Sequence, residues 1–136
     1  MSNNLKSKDK ICILSSDRGE IRTISQEVEP DYKVRSFDTI TGFEAELSLE
    51  SCVAGILDVD SVPLDNRTIR KLKRRFPSVE FLCTSRERVH PQLKEAMSFH
   101  IVACLHKPVD PDELLYWLRC IRESEAESKD SPAANR

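Results

Sequence analysis

The stretch Cys52-Val-Ala-Gly-Ile-Leu57, followed at once by Asp58, decides how the rest of this chain is read. Six apolar residues without a polar interruption suit a strand buried on both faces, as in a parallel sheet covered by helices. A carboxylate closing such a strand stands at the carboxyl edge of the sheet, where open α/β folds gather their working groups. Related runs are Lys10 to Leu14, Val79 to Thr84 and Ile101 to Leu105. Tyr32 to Phe37 alternates instead, setting Lys33 and Arg35 against Val34 and Ser36, which fits an edge strand.

Helical patterns fill the gaps. Ile21, Ile24 and Val28 recur at i, i+3 and i+7, as do Ile69, Leu72 and Phe76, while Phe43 with Leu47 and Leu93 with Met97 form shorter pairs. The last segment opens on Asp110-Pro-Asp-Glu113, with Asp110 as N-cap, Pro111 at the first helical position and Glu113 at the third. Leu114, Leu115, Trp117, Leu118 and Ile121 then supply a broad apolar face. Five alternations of strand and helix predict right-handed crossovers and an open parallel α/β sheet with helices on both sides. Residues 9–123 carry this plan as one domain. The ends, 1–8 and 124–136, are polar and without periodicity; both are expected to be flexible, and the second would serve equally as a linker to an effector domain.

Composition narrows the function classes. A length of 136 residues, 39% apolar and 32% charged, suits one core, and 21 basic against 23 acidic side chains leave a net charge of −2. A dedicated nucleic-acid binder carries a basic excess, so that class is disfavoured. The cluster Arg67, Arg70, Lys71, Lys73, Arg74 and Arg75 on the third helix keeps a small nucleic-acid-binding adaptor as an alternative of another class, against the plainer reading of a solvated helix face. The apolar runs are too short to span a membrane and the first residues lack an apolar signal segment, so a cytoplasmic, membrane-free protein is expected. Five cysteines (12, 52, 83, 104 and 120) without C-x-x-C spacing read as reduced thiols, and His90, His100 and His106 lack ligand spacing.

Three strand ends carry polar groups: Asp58, then Thr84-Ser85, then His106-Lys107-Pro108. Such a sheet brings a carboxylate, a hydroxyl and an ammonium to one rim. That trio has the chemistry to accept and hold a phosphoryl group, with the carboxylate as nucleophile and the other two binding its oxygens.

Leu105-His-Lys-Pro-Val-Asp-Pro-Asp-Glu-Leu114 and Gly55-Ile-Leu-Asp-Val-Asp-Ser-Val-Pro-Leu-Asp-Asn66 resemble the receiver domains of two-component response regulators, over about residues 9–123. The resemblance implies a (βα)5 flavodoxin-like three-layer sandwich with strand order 2-1-3-4-5. It places Asp58 at the phosphoacceptor position, Thr84 (with Ser85 as the second choice) at the hydroxyl switch, Lys107 at the invariant lysine, and Pro108 after a cis bond. It also implies a sensor histidine kinase or phosphotransfer protein as donor, and an output through a protein partner or fused effector domain.

The chain departs from the family in ways that bear on chemistry. The acidic pair that holds Mg²⁺ at the end of strand one is replaced by Ser15 and Ser16, whose hydroxyls bring no charge to a hard cation. Metal binding would then rest on Asp58 with Asp17 and Asp60, and no cofactor is assigned. Cys104 stands where the family has its aromatic switch. Pro63 comes one residue late in the loop, and Asp65-Asn66 replaces an aspartate–glycine pair, with asparagine the next most tolerant residue of positive φ. Cys104, Tyr116 and Trp117 are interface candidates on the face of helix four, strand five and helix five, which the family uses for homodimers or partners. The leading expectation is a non-enzymatic, atypical receiver with a degraded Mg²⁺ site that regulates a partner through protein contacts. The alternative is a receiver that accepts a phosphoryl group on Asp58.

Overall fold

The computed structural model describes residues 9–87 and 91–130, with the side chains of Pro91 and 125–130 left aside. His90 and the polar ends 1–8 and 131–136 lie outside the described residues. Five strands, β1 (Asp9–Leu14), β2 (Tyr32–Phe37), β3 (Ala54–Asp58), β4 (Glu80–Ser85) and β5 (Ala103–His106), alternate with helices. The helices are α1 (Arg18–Val28), α2 (Ile40–Leu49), α3 (Asn66–Arg75), α4 (Lys94–Phe99), preceded by a 3-10 turn at Pro91–Leu93, and α5 (Pro111–Asp130). All strand pairings are parallel and the order is β2-β1-β3-β4-β5, the flavodoxin-like (βα)5 topology.

Strand alternation divides the core in two. Cys12, Leu14, Leu57, Phe81 and Cys83 pack against Phe43 and Leu47 of α2, Ile69 and Leu72 of α3, and Ala96 of α4. Ile11, Ile13, Ile56, Leu82 and Leu105 pack on the opposite face against Ile24 and Val28 of α1 and Leu114, Leu118 and Ile121 of α5. Gly55 sits where the aromatic side chains cross β3: a Cβ there would lie 2.9 Å from the Phe81 ring and 3.2 Å from Phe43. β2 is an edge strand, as its alternation predicts.

Strand limits differ from the apolar runs by one or two residues. Cys52 and Val53 are buried but precede β3, and Val53 reaches β1 through a single bond from its N–H to the Lys10 carbonyl. Ile101 is likewise buried ahead of β5. Apolarity reports burial, and burial extends past the hydrogen-bonded ladder. The last helix, α5, continues to Asp130, into the segment from Ser124. The segment from Ser124 includes the helix formers Glu125, Ala126, Glu127 and Lys129 and has no glycine or proline before Pro132; its lack of apolar period bears on packing, not on helicity. No helix among the described residues is long and apolar enough to cross a membrane.

The Asp65-Asn66 turn works differently from the expectation. No non-glycine residue among those described has positive φ. Asp65 caps α3, its Oδ1 accepting from Thr68 N–H at 2.9 Å and Thr68 Oγ1 at 2.8 Å. Asn66 spans to the next helix: Nδ2 donates to the Gln92 carbonyl and Oδ1 accepts from Ala96 N–H, both at 2.9 Å.

Candidate functional site

Parallel register brings the predicted trio together. Asp58 ends β3 and pairs with Thr84 in β4. Lys107 follows β5, its N–H donating to the Ser85 carbonyl at 2.8 Å, and Lys107–Pro108 is cis, as expected. Lys107 Nζ lies 2.7 Å from Asp58 Oδ1, 3.2 Å from Asp60 Oδ2 and 3.3 Å from Glu20 Oε1.

Asp58 is fully buried, and both of its oxygens are engaged. Oδ1 accepts from Lys107 Nζ at 2.7 Å and from the N–H groups of Asp60 (3.1 Å) and Ser61 (3.3 Å). Oδ2 accepts from the hydroxyls of Ser15 and Ser61, each at 2.8 Å. Burial pushes the Asp58 carboxyl up, but the hydrogen bonds from Lys107, Ser61 and Ser15 outweigh it and hold the group below the ordinary aspartate range. Ser15 is thus a hydrogen-bond donor to Asp58. Ser61, one of the residues missed in the sequence, closes the other side and also binds Ser16, accepting from its N–H at 2.9 Å and, through its carbonyl, from its hydroxyl at 3.0 Å.

Glu20 was missed as well, and it lies at the centre of the rim. Its Oε2 accepts from Thr84 Oγ1 at 2.6 Å while Oε1 faces Lys107. Burial raises its carboxyl above the ordinary glutamate range, with the Asp58 charge adding and the Thr84 and Lys107 contacts opposing. The available signal was Asp17-Arg-Gly-Glu20, a capping-box spacing that puts Glu20 in the first turn of α1 beside the rim. Asp17 is the N-cap and accepts from Glu20 N–H at 3.2 Å. Oxygens of Asp17, Glu20 and Asp58 lie within 4.8 Å of one another.

The remaining candidates separate from this group to different degrees. Asp60 turns to Lys107 and accepts from Arg86 N–H at 2.8 Å. Ser85 is buried and turns away: its hydroxyl accepts from Glu87 N–H at 3.0 Å, leaving Thr84 as the hydroxyl at the rim. Cys104 is partly buried on the α2–α4 side, and Trp117 is partly buried against the α1–α5 core. Tyr116 is 51% exposed and stacks edge-on with Trp117 at 5.2 Å. In the basic cluster of α3, Arg70 pairs with Glu95 at 2.6 Å, Lys73 with Glu80 at 3.3 Å and Arg75 with Glu44 at 3.2 Å.

Chemically, a hydroxyl and an ammonium converge here on one point at the mouth of a cleft of about 640 Å³. The cleft is lined by Glu20, Asp17, Arg86, Lys107 and Pro108, among others. A convergent hydroxyl and ammonium hold the oxygens of an anion. No family model matches the sequence, and no curated protein matches it. Solved structures do match in shape. The signal receiver domain of an HD domain-containing protein from Pseudomonas fluorescens Pf-5 superposes with a TM-score of 0.81 at 18% identity, covering 92% of this chain and 94% of that one. A CheY-like response regulator receiver domain protein from Methanospirillum hungatei JF-1 gives 0.77 at 19% identity, over 89% and 99% of the two chains. A response regulator from Thermotoga maritima gives 0.73 at 17% identity, over 84% and 97%. At this identity the likeness is one of architecture, and the chain has the receiver-domain fold.

Proposed function

We propose that this chain is an atypical receiver domain that signals through protein contacts without relying on phosphorylation of Asp58. The observation that carries this reading is the saturated state of Asp58: a fully buried carboxylate with five donors on its two oxygens. A nucleophile needs a free oxygen lone pair aimed at phosphorus, and here each oxygen is already surrounded by protons.

The donor set does not suit magnesium. Mg²⁺ demands near-octahedral oxygen ligands and is held through carboxylates. The Asp58 oxygen nearest the serines is covered by the hydroxyls of Ser15 and Ser61, and the Lys107 ammonium lies among the carboxylates of Asp58, Asp60 and Glu20. Asp17 and Glu20 restore acids near the place of the lost pair, but both are committed, one to capping α1 and the other to Thr84.

Phe99 (77% exposed), Val102 (37%) and Tyr116 (51%) lie on α4, the turn after it and α5, and they favour this side as the partner or homodimer face. The phosphorylation-competent reading keeps one observation in its favour, the retained Asp58–Thr84–Lys107 geometry. Incubation with acetyl phosphate or a phosphoramidate, with and without Mg²⁺, followed by intact-mass measurement, decides between them. No phosphoryl adduct is expected; an adduct that disappears in Asp58→Asn would overturn the proposal.

A further inference from the structure

We infer that Glu20 is a built-in occupant of the phosphoryl seat: its carboxylate fills the place between the Thr84 hydroxyl and the Lys107 ammonium, so the pocket is liganded by its own chain and closed to an external oxyanion. The inference rests on the reading of the site given under Proposed function and says what regulates it.

Three observations meet here. The first is position. Glu20 Oε2 takes the Thr84 proton at 2.6 Å and Oε1 lies 3.3 Å from Lys107 Nζ, so one carboxylate engages both groups that would hold phosphoryl oxygens. A carboxylate and a phosphate share what such a seat recognises, namely negative charge and paired acceptor oxygens. The second is enclosure, since the Glu20 side chain is only 10% exposed although it lies at the mouth of an open cleft.

The third concerns the route by which Glu20 arrives. In a capping box the third helical residue folds back to the N–H of the N-cap. Here Ser15 Oγ accepts from the Asp17 N–H at 3.0 Å, so that donor no longer calls for Glu20. The same Ser15 is uncharged, and an aspartate at that position would repel a carboxylate turned toward Asp58. The loss of the strand-one acid and the inward turn of Glu20 are therefore one arrangement. Its consequence is that Thr84 is pinned toward the rim without any incoming group.

The test removes the occupant and offers a substitute. Inorganic phosphate is titrated calorimetrically into the full chain, in buffer of matched ionic strength without divalent cations, for wild type, Glu20→Ala and the double variant Glu20→Ala/Lys107→Met. Glu20→Ser, checked by circular dichroism, replaces Glu20→Ala if the latter does not fold. The expected result is affinity for phosphate at least about tenfold higher in Glu20→Ala than in wild type, and loss of that gain in the double variant. Equal responses of wild type and Glu20→Ala overturn the inference.

Acetyl phosphate labelling of the same samples keeps the two ideas apart. An unlabelled wild type together with a phosphate-blind Glu20→Ala sinks the occupant and leaves the proposed function standing. A wild type labelled on Asp58 sinks the proposed function. In that case the occupant survives only if Glu20→Ala is labelled about tenfold faster, and falls with the proposed function if the rates match.

Discussion

Both ends of the sheet hold a buried lysine among carboxylates, yet the two networks are built for different work. At the amino end, Lys10 of β1 lies 2.6 Å from Glu46 and 3.0 Å from Glu50, with Lys33 and Arg35 adding longer contacts at 3.8 and 3.9 Å. Three cations there surround two acids and the outer members are half exposed, so the network ties the end of α2 to β1 and β2. At the carboxyl end a single ammonium, Lys107, faces Asp58, Asp60 and Glu20, and hydroxyls and backbone N–H groups supply the remaining donors. The first arrangement is a fastening. The second sets one ammonium against three carboxylates and fills the balance with directional donors, a surplus of negative charge that a plain fastening would not carry.

The comparison breaks most readily at the two lysines. Lys107→Met leaves the fully buried Asp58 without its counter-ion and is expected to cost about 3–5 kcal/mol in urea unfolding. Lys10→Met leaves Glu46 with Arg35 nearby and is expected to cost about 1–2 kcal/mol. Equal losses would mean that both ends are simple fastenings. Ser15→Asp comes next: it sets a buried carboxylate against Asp58 and should cost about 2 kcal/mol at neutral pH, with the loss shrinking when Glu20→Ala is added. Unchanged coupling in that double variant would separate Ser15 from Glu20.

Acidity sharpens the contrast further. Because the Glu20 carboxyl is raised by burial, the folded state takes up its proton before the unfolded chain does. Stability therefore rises through this group as pH falls from neutrality toward the ordinary glutamate range. Asp58 and Glu46 act in the opposite sense. Asp58 resists its burial through its hydrogen bonds, Glu46 is held down by Lys10, and the stability each contributes is complete above the ordinary carboxylate range and lost only in stronger acid. A shallow stability maximum on the acid side of neutrality is expected, disappearing in Glu20→Gln; a wild-type profile without that rise would refute the assignment. The smallest effect belongs to the exposed rim of the amino end, where Lys33→Ala should leave the melting temperature unchanged in moderate salt.

Much of this was legible in the residues. Continuous apolar runs announced the inner strands because both faces of a parallel strand must be buried, and Asp58, Thr84 and Lys107 were locatable because strand ends fix where their side chains emerge. Glu20 was not, for a physical reason: helix periodicity says which face a residue occupies, but a long side chain in the first turn has several partners within reach. Which one it takes depends on donors from β4 and β5, far away in sequence. Ser15 was legible as a missing charge, whereas its role as donor to Asp58 and acceptor for Asp17 needed three dimensions. The bridging role of Asn66 was not legible, because tolerance of positive φ is only one of the reasons an asparagine is placed in a turn.

That asparagine has a consequence for motion. Of α1 to α4, α4 alone lacks a side-chain cap of its own, and it is only six residues long. The acceptor that meets its Ala96 N–H comes from Asn66 at the start of α3, thirty positions earlier in the chain. The beginning of α4 therefore depends on a neighbour, and separating the two helices would free the amide and fray the short helix from within. In hydrogen exchange, Asn66→Ala should speed exchange at the start of α4 while the amides of β3 and β4 stay slow. The order of this short helix is thus borrowed from α3 and not generated by its own sequence.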